Sequence, residues 1–143
     1  MTRLLHANLV AYRRDGRWRG LLLRGASGAG KSDLSLRLVQ RGWRLAADDR
    51  VIVWTSGGRP WGRAPQTLSG LMEVRGVGVL PFGALAYVEI NQVIECAPAD
   101  ELERIPAPTT TNLCGVELPF CRLHAAAASA PEKAIVFCGA SCV

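Results

Sequence analysis

Apolar positions fall in short runs broken by glycine, proline and charged residues, a rhythm of strands and turns with one helix among them. Asn8-Leu9-Val10-Ala11-Tyr12 reads as a strand. Arg13-Arg14-Asp15-Gly16 follows, and Asp-Gly is a hairpin turn signal. Residues 19–24 hold Leu21-Leu22-Leu23, a continuous apolar run suited to a buried strand. From 31 to 41 the apolar positions Leu34, Leu38 and Val39 recur at helical spacing, with Leu36 off the stripe. That spacing predicts a helix packed by one face, and Gly42 stands where its end is expected.

Further along, residues 43–47 make a short apolar segment that runs into Asp48-Asp49. Val51-Ile52-Val53-Trp54 predicts another strand, closed by a turn at Ser56-Gly57-Gly58. Residues 59–71 are rich in Gly, Pro and Arg and are expected to be irregular. Residues 72–80 interleave Glu73, Arg75, Gly76 and Gly78 with apolar positions, an unusual polar and flexible run. Residues 84–94 offer one or two strands, 98–108 a charged, proline-bearing connection, and 118–123 a last strand. Residues 125–130 read as either helix or linker, and a loose tail is expected from about 138 onward. There is no internal repeat and no domain boundary, so a single domain over 1–143 is expected.

Composition narrows the function classes. About half of the 143 residues are apolar and 20% are charged, which suits a folded domain with its own core. No apolar run approaches the ~20 residues needed to span a bilayer. The start, Met1-Thr2-Arg3-Leu4-Leu5-His6, lacks the apolar stretch of a secretion signal, so a cytoplasmic protein without a membrane partner is expected. The net charge of +5 is spread along the chain, and no nucleic-acid module is present. A basic surface of this kind can attract an acidic or phosphorylated partner. The five cysteines, Cys96, Cys114, Cys121, Cys138 and Cys142, form no C-x-x-C pair, which argues against a zinc site and a disulfide framework.

The decisive stretch is Gly25-Ala26-Ser27-Gly28-Ala29-Gly30-Lys31-Ser32. It fills every fixed position of G-x-x-x-x-G-K-[ST], the phosphate loop of P-loop proteins. Glycines let the backbone curl so that successive N–H groups point at phosphate oxygens, and the following helix adds its positive N-terminal end. Lys31 can reach the outer phosphates, and the Ser32 hydroxyl can ligate magnesium. An apolar strand before the loop and a striped helix after it supply the context this motif requires. A nucleoside triphosphate with Mg2+ is therefore the expected ligand pair.

Phosphoryl transfer also needs carboxylates. Asp48-Asp49 follows a short apolar strand, where a metal-facing or proton-accepting group commonly stands. Adjacent strand residues point to opposite sides, so one of the two is expected to face the phosphates unless the strand has already ended. Glu73 in Glu73-Val74-Arg75, and His6 near the terminus, carry no functional signal by spacing alone.

Taken together, these residues resemble the catalytic domain of HPr kinase/phosphorylase. The matching pieces are Leu5-His6-Ala7, the phosphate loop, Leu45-Ala46-Ala47-Asp48-Asp49-Arg50-Val51, and Leu71-Met72-Glu73-Val74-Arg75-Gly76-Val77-Gly78-Val79-Leu80. Their order and approximate spacing match as well. The resemblance implies a single P-loop α/β domain with a mixed β-sheet, similar to phosphoenolpyruvate carboxykinase. It implies ATP-dependent phosphorylation of a serine on HPr, the carrier of the sugar phosphotransferase system, with reversal by inorganic phosphate as the family's second activity. A homo-oligomer, commonly a hexamer, and a role in regulating carbon or nitrogen use are implied too.

Carried over by position, the resemblance implies Asp48 as the base for the serine proton and Lys31 as the holder of the transferring phosphate. It implies Ser32 and Glu73 as magnesium ligands, Asp49 as support for that site, His6 beside Asp48, and Arg104 as a later catalytic arginine. The chain looks like the short alphaproteobacterial form, with its catalytic core near the start. Residues 125–131 carry no counterpart of the basic, Asn-bearing stretch tied to phosphorolysis, so kinase activity is the first expectation. A kinase for a small hydroxyl compound and a non-catalytic ATP-binding regulatory module are the alternatives.

Overall fold

Leu9, Val10, Ala11 and Tyr12 point alternately into two separate cores, and that alternation organises the molecule. The computed structural model describes residues 2–139. Its elements in order are β1 (Thr2–Leu5), β2 (Asn8–Arg14), β3 (Arg17–Arg24), α1 (Lys31–Val39), β4 (Arg44–Ala47), β5 (Val51–Ser56), β6 (Arg59–Arg63), β7 (Leu71–Val74), β8 (Gly78–Pro81), β9 (Val88–Cys96), β10 (Thr109–Leu113), β11 (Val116–Leu123) and α2 (Ala130–Cys138).

Nine strands form one mixed sheet in the order β1-β5-β6-β9-β3-β2-β4, with β11 also on β9 and β10 on β11. The β3–β9 and β9–β11 pairs are parallel, whereas β2–β3, β2–β4 and β5–β6 are antiparallel. The first residues of β9 pair with β6 and its last four with β11, so two strands succeed one another along β9 opposite β3. β7 and β8 make a separate hairpin.

One core lies between the sheet and the helices, and includes Val10, Tyr12, Leu21, Leu23, Leu34, Leu38, Trp43 and Cys138. The other, around Leu9, Ala11, Leu22, Val51, Val53, Ile90 and Val93, contains strand and loop residues and no helix, so the curled sheet packs its own strands against one another there. At Gly62 the strands leave no room for a side chain: a Cβ there would stand 2.6 Å from Leu9 and 3.1 Å from Val51. No helix among the described residues is long and apolar enough to cross a membrane.

Several sequence expectations need correction. Residues 59–71 are not irregular throughout. Arg59–Arg63 is a strand whose Pro60 and Gly62 are buried, because two neighbouring strands supply the pairing that Gly and Pro do not favour on their own. The polar run 72–80 is a hairpin turning at Arg75 and Gly76. Residues 109–113 add an unexpected strand, as do residues 2–5 at the sheet edge. Residues 125–129 are turns, and the helix begins at Ala130 with Pro131 in its first turn, where a missing N–H costs nothing. Cys138 ends that helix and is 2% exposed, so the tail does not begin there; Cys142 lies outside the described residues.

Candidate active site

The phosphate loop leaves β3, at the parallel centre of the sheet, and enters α1. Two glycines allow its path. Gly25 has φ +146°, and a Cβ there would lie 2.7 Å from the carbonyl oxygen of Cys96 at the end of β9. Gly30 has φ +96°, and a Cβ would stand 2.9 Å from that of Ala125. Gly30 precedes α1, whose first-turn N–H groups lie at the positive end of the helix.

Arg37, on the next turns of α1, holds the other side. It donates to the carbonyl oxygens of Ala125 at 2.5 Å, Ala127 at 2.7 Å and Ala128 at 3.4 Å. The turn after β11 is thereby fixed against the loop. Below the loop, burial pushes the Cys96 thiol up to about 11, with the nearby Lys31 charge pulling the other way. It is a neutral packing group there rather than a nucleophile.

A cavity of about 650 Å³ opens above the loop, in the size range of small-molecule sites. Ser27, Gly28, Gly30, Lys31 and Ser32 form its floor; Asp48 and Asp49 stand on one side, and Glu73 and Arg75 of the β7–β8 hairpin on another. Leu36, Leu71, Val74 and Val79 supply apolar wall. Lys31 is 8% exposed and its ammonium donates to the carbonyls of Gly25 at 2.9 Å and Ala26 at 3.1 Å. An ammonium has three donors, so one remains for a ligand.

Asp48 is the hub. Strand β4 ends at Ala47, so the Asp pair lies in a bend and both residues line the cavity. Ser32 donates its hydroxyl to Asp48 Oδ1 at 2.7 Å, and the Glu73 backbone N–H donates to Oδ2 at 3.2 Å. Asp49 has φ +65°, and its backbone N–H donates to Asn8 Oδ1 at 3.1 Å. Asn8 in turn donates to Asp48 Oδ1 at 2.7 Å. Asn8 was not among the residues the sequence singled out. Its only signal there is an amide, a poor strand former, opening an otherwise apolar strand.

The cavity thus gathers Lys31, Ser32, Asp48, Asp49 and Glu73, with the loop residues Ser27, Gly28 and Gly30. Gly25, Ala26 and Ala29 shape the loop without lining it. His6 and Arg104 are not brought in. His6 lies on an exposed bend between β1 and β2, and Arg104 in the exposed stretch before β10.

A family model described as the HPr serine kinase C-terminal domain matches residues 5–128. Among curated proteins, the HPr kinase/phosphorylase of Lactobacillus acidophilus is 44% identical over 112 residues, covering 70% of this chain and 35% of that protein. That of Streptococcus thermophilus is 43% identical over 89 residues, 59% of this chain and 29% of that protein. That of Brevibacillus brevis is 46% identical over 79 residues, 52% and 25% respectively. The chain therefore spans a quarter to a third of the length of these curated relatives. The solved structure of the Hpr(Ser) kinase/phosphatase from Coxiella burnetii superposes with a TM-score of 0.81, covering 96% of this chain and 89% of that one at 22% identity. At that identity the likeness establishes the mixed α/β fold.

Proposed function

The chain belongs to the family of the HPr serine kinase C-terminal domain, and from that premise we propose that it is an ATP- and magnesium-dependent kinase for a serine of HPr, the carrier of the sugar phosphotransferase system. The observation that carries this assignment is the Asp48 carboxylate, held 2.7 Å from the phosphate-loop hydroxyl of Ser32 in the cavity that also contains Lys31 and Glu73. A proton acceptor, a phosphate-binding loop and a metal-type carboxylate stand around one space.

In the proposed reaction Asp48 takes the proton of the serine hydroxyl. The serine oxygen bonds to the γ-phosphorus as the bond to the bridging oxygen breaks and ADP leaves. Lys31 holds the transferring group, and the loop N–H groups bind the phosphates. The donor set fits magnesium: a hydroxyl from Ser32 and a carboxylate from Glu73, supported by Asp49. No group of three or more His, Cys, Asp or Glu among the described residues forms a cage. That suits an ion which takes one or two protein ligands and completes its shell with water and phosphate oxygens. When bound, it would neutralise charge on the phosphates.

His6 and Arg104 belong to this proposal through resemblance alone. Reversal is included: phosphoserine and inorganic phosphate would give serine and pyrophosphate, with protonated Asp48 returning the proton. A homo-oligomer, by resemblance a hexamer, is also proposed. The exposed Val77 and Val79 of the β7–β8 hairpin offer apolar surface for such an assembly, and a fully active monomer in light scattering would contradict it.

The test is a phosphotransfer assay. The chain is mixed with ATP, magnesium and HPr, and the carrier's mass is read. A gain of one phosphate on a serine is expected, and its loss with pyrophosphate release after adding inorganic phosphate tests reversal. Tight ATP binding with no transfer to HPr would overturn the assignment.

A further inference from the structure

Asn8 has no exposed surface, yet it opens a strand whose next four residues are all buried and mostly apolar. An amide at such a position packs no better than valine and must find partners for its donors and acceptor. It finds them at Ser32, Asp48 and Asp49, all of which line the cavity. Nδ2 lies 2.7 Å from Asp48 Oδ1 and 3.5 Å from Ser32 Oγ, and Oδ1 accepts the Asp49 N–H at 3.1 Å. Only this orientation is chemically complementary, because a carboxylate accepts and a backbone N–H donates.

The backbone behind this amide belongs to the central sheet. β2 is paired on both sides, by β3 from Asn8↔Leu23 onward and by β4 from Leu9↔Ala47 onward. The other donors to Asp48 come from less anchored places: a helix-terminal hydroxyl that is also the proposed magnesium ligand, and the backbone of an exposed residue in a two-stranded hairpin. Asn8 is the donor built into the central sheet.

We infer that Asn8 is a positioning residue for phosphoryl transfer: it fixes the Asp48 carboxylate through its amide N–H and the Asp48–Asp49 bend through its amide oxygen. This rests on the role proposed for Asp48. Asn8 acts through the groups it holds, the Asp48 carboxylate and the Asp49 backbone, with Ser32 Oγ at 3.5 Å from its amide.

Two variants separate its functions. Asn8→Leu has a similar volume and removes both contacts. Asn8→Asp keeps an acceptor for the Asp49 N–H and replaces the donor to Asp48 with a second carboxylate facing it. Each is made in the wild-type and in the Asp48→Asn background, with ATP affinity, kcat for HPr, and hydrogen exchange of the Asp49 amide measured. In the wild-type background both are expected to lower kcat by about 10- to 100-fold, the usual effect of removing a supporting contact. ATP Kd should stay within about threefold, since Asn8 meets the phosphate loop only at Ser32 Oγ, at 3.5 Å. In the Asp48→Asn background neither should lower the residual rate further. Asp49 amide exchange should quicken in Asn8→Leu and stay slow in Asn8→Asp.

An unchanged kcat in both variants, or the same fold-loss in both backgrounds, would overturn the inference. If Asn8→Leu fails to fold, Asn8→Asp alone decides by the same two criteria. A wild-type chain that transfers nothing to HPr would overturn the proposed function instead. Asn8 would then be judged by exchange alone: quickening confined to Asn8→Leu keeps its hold on the bend, and unchanged exchange in both removes it.

Discussion

At the scale of single residues, two glycines of one loop make different demands. Gly25 combines φ +146° with a 2.7 Å approach to the Cys96 carbonyl, whereas Gly28 has φ +82° and open space around it. Backbone strain alone costs on the order of 1–2 kcal/mol for an alanine in the left-handed region. Gly25→Ala adds a clash with backbone that cannot step aside. Gly28→Ala is therefore expected to melt only a little below the wild type, and Gly25→Ala to lose several more degrees together with ATP affinity. Thermal melts with and without ATP check this; equal losses in the two variants would contradict the packing account. The loop was legible in the sequence because its spacing is local. Asn8 was not, since its partners lie 40 and 41 residues away and only the β2–β4 pairing brings them together.

Among the elements, α1 does more than open the phosphate loop. Its Arg37 gathers three carbonyls of the turn before α2, and Arg41 pairs with Glu132 of α2 at 2.7 Å. The pair is exposed and contributes little. The carbonyl clamp is better shielded and has the planar, forked donor it needs. Arg37→Ala is expected to lower unfolding free energy by about 1–3 kcal/mol, with Arg37→Lys recovering only part, because a single ammonium cannot span the three oxygens. Denaturant unfolding reads both, and full recovery by lysine would contradict the clamp. The helical stripe of Leu34 and Leu38 was readable beforehand, and both side chains are fully buried. β6 was not. Its Arg, Pro and Gly look like a loop until β5 and β9 flank it, and Gly62 is there because Leu9, Val51 and Ile90 leave no room for a side chain. α2 escaped detection for a related reason: its buried face is small, made of Ala130, Pro131, Ala134 and Cys138.

The whole molecule encloses thiols and a phenol within its helix-side core. Burial holds the Cys96 and Cys121 thiols up at about 11 against an ordinary 9.0. Burial, aided by Cys138, holds Tyr12 up at about 12 against 10.0. Each folded-state value is raised, so the unfolded chain loses these protons first as alkali is added. The stability they contribute is fully present below pH 9.0 and is lost as pH rises from there to about 12. The melting temperature should hold steady up to about pH 8.5 and fall progressively above it, and a steady value through this window would contradict the burial of these groups. The mixed α/β class was implied by the resemblance that the phosphate loop, Asp48-Asp49 and the 71–80 stretch carry. The curl was not legible, because it depends on β9 carrying β6 and β11 in succession, a pairing between distant segments.

The central claim is that Asp48 takes the proton of the attacking hydroxyl while the loop holds the nucleotide independently of it. The most direct measurement is kcat for HPr together with ATP Kd, on one preparation each of the wild type and Asp48→Asn. The amide of the variant can still accept from Ser32 but cannot accept the serine proton. ATP Kd is expected to stay within about threefold of the wild type and transfer to fall by roughly 10²- to 10⁴-fold. Transfer within a few-fold of wild type would contradict the claim, as would a loss of ATP affinity large enough to explain the fall in rate.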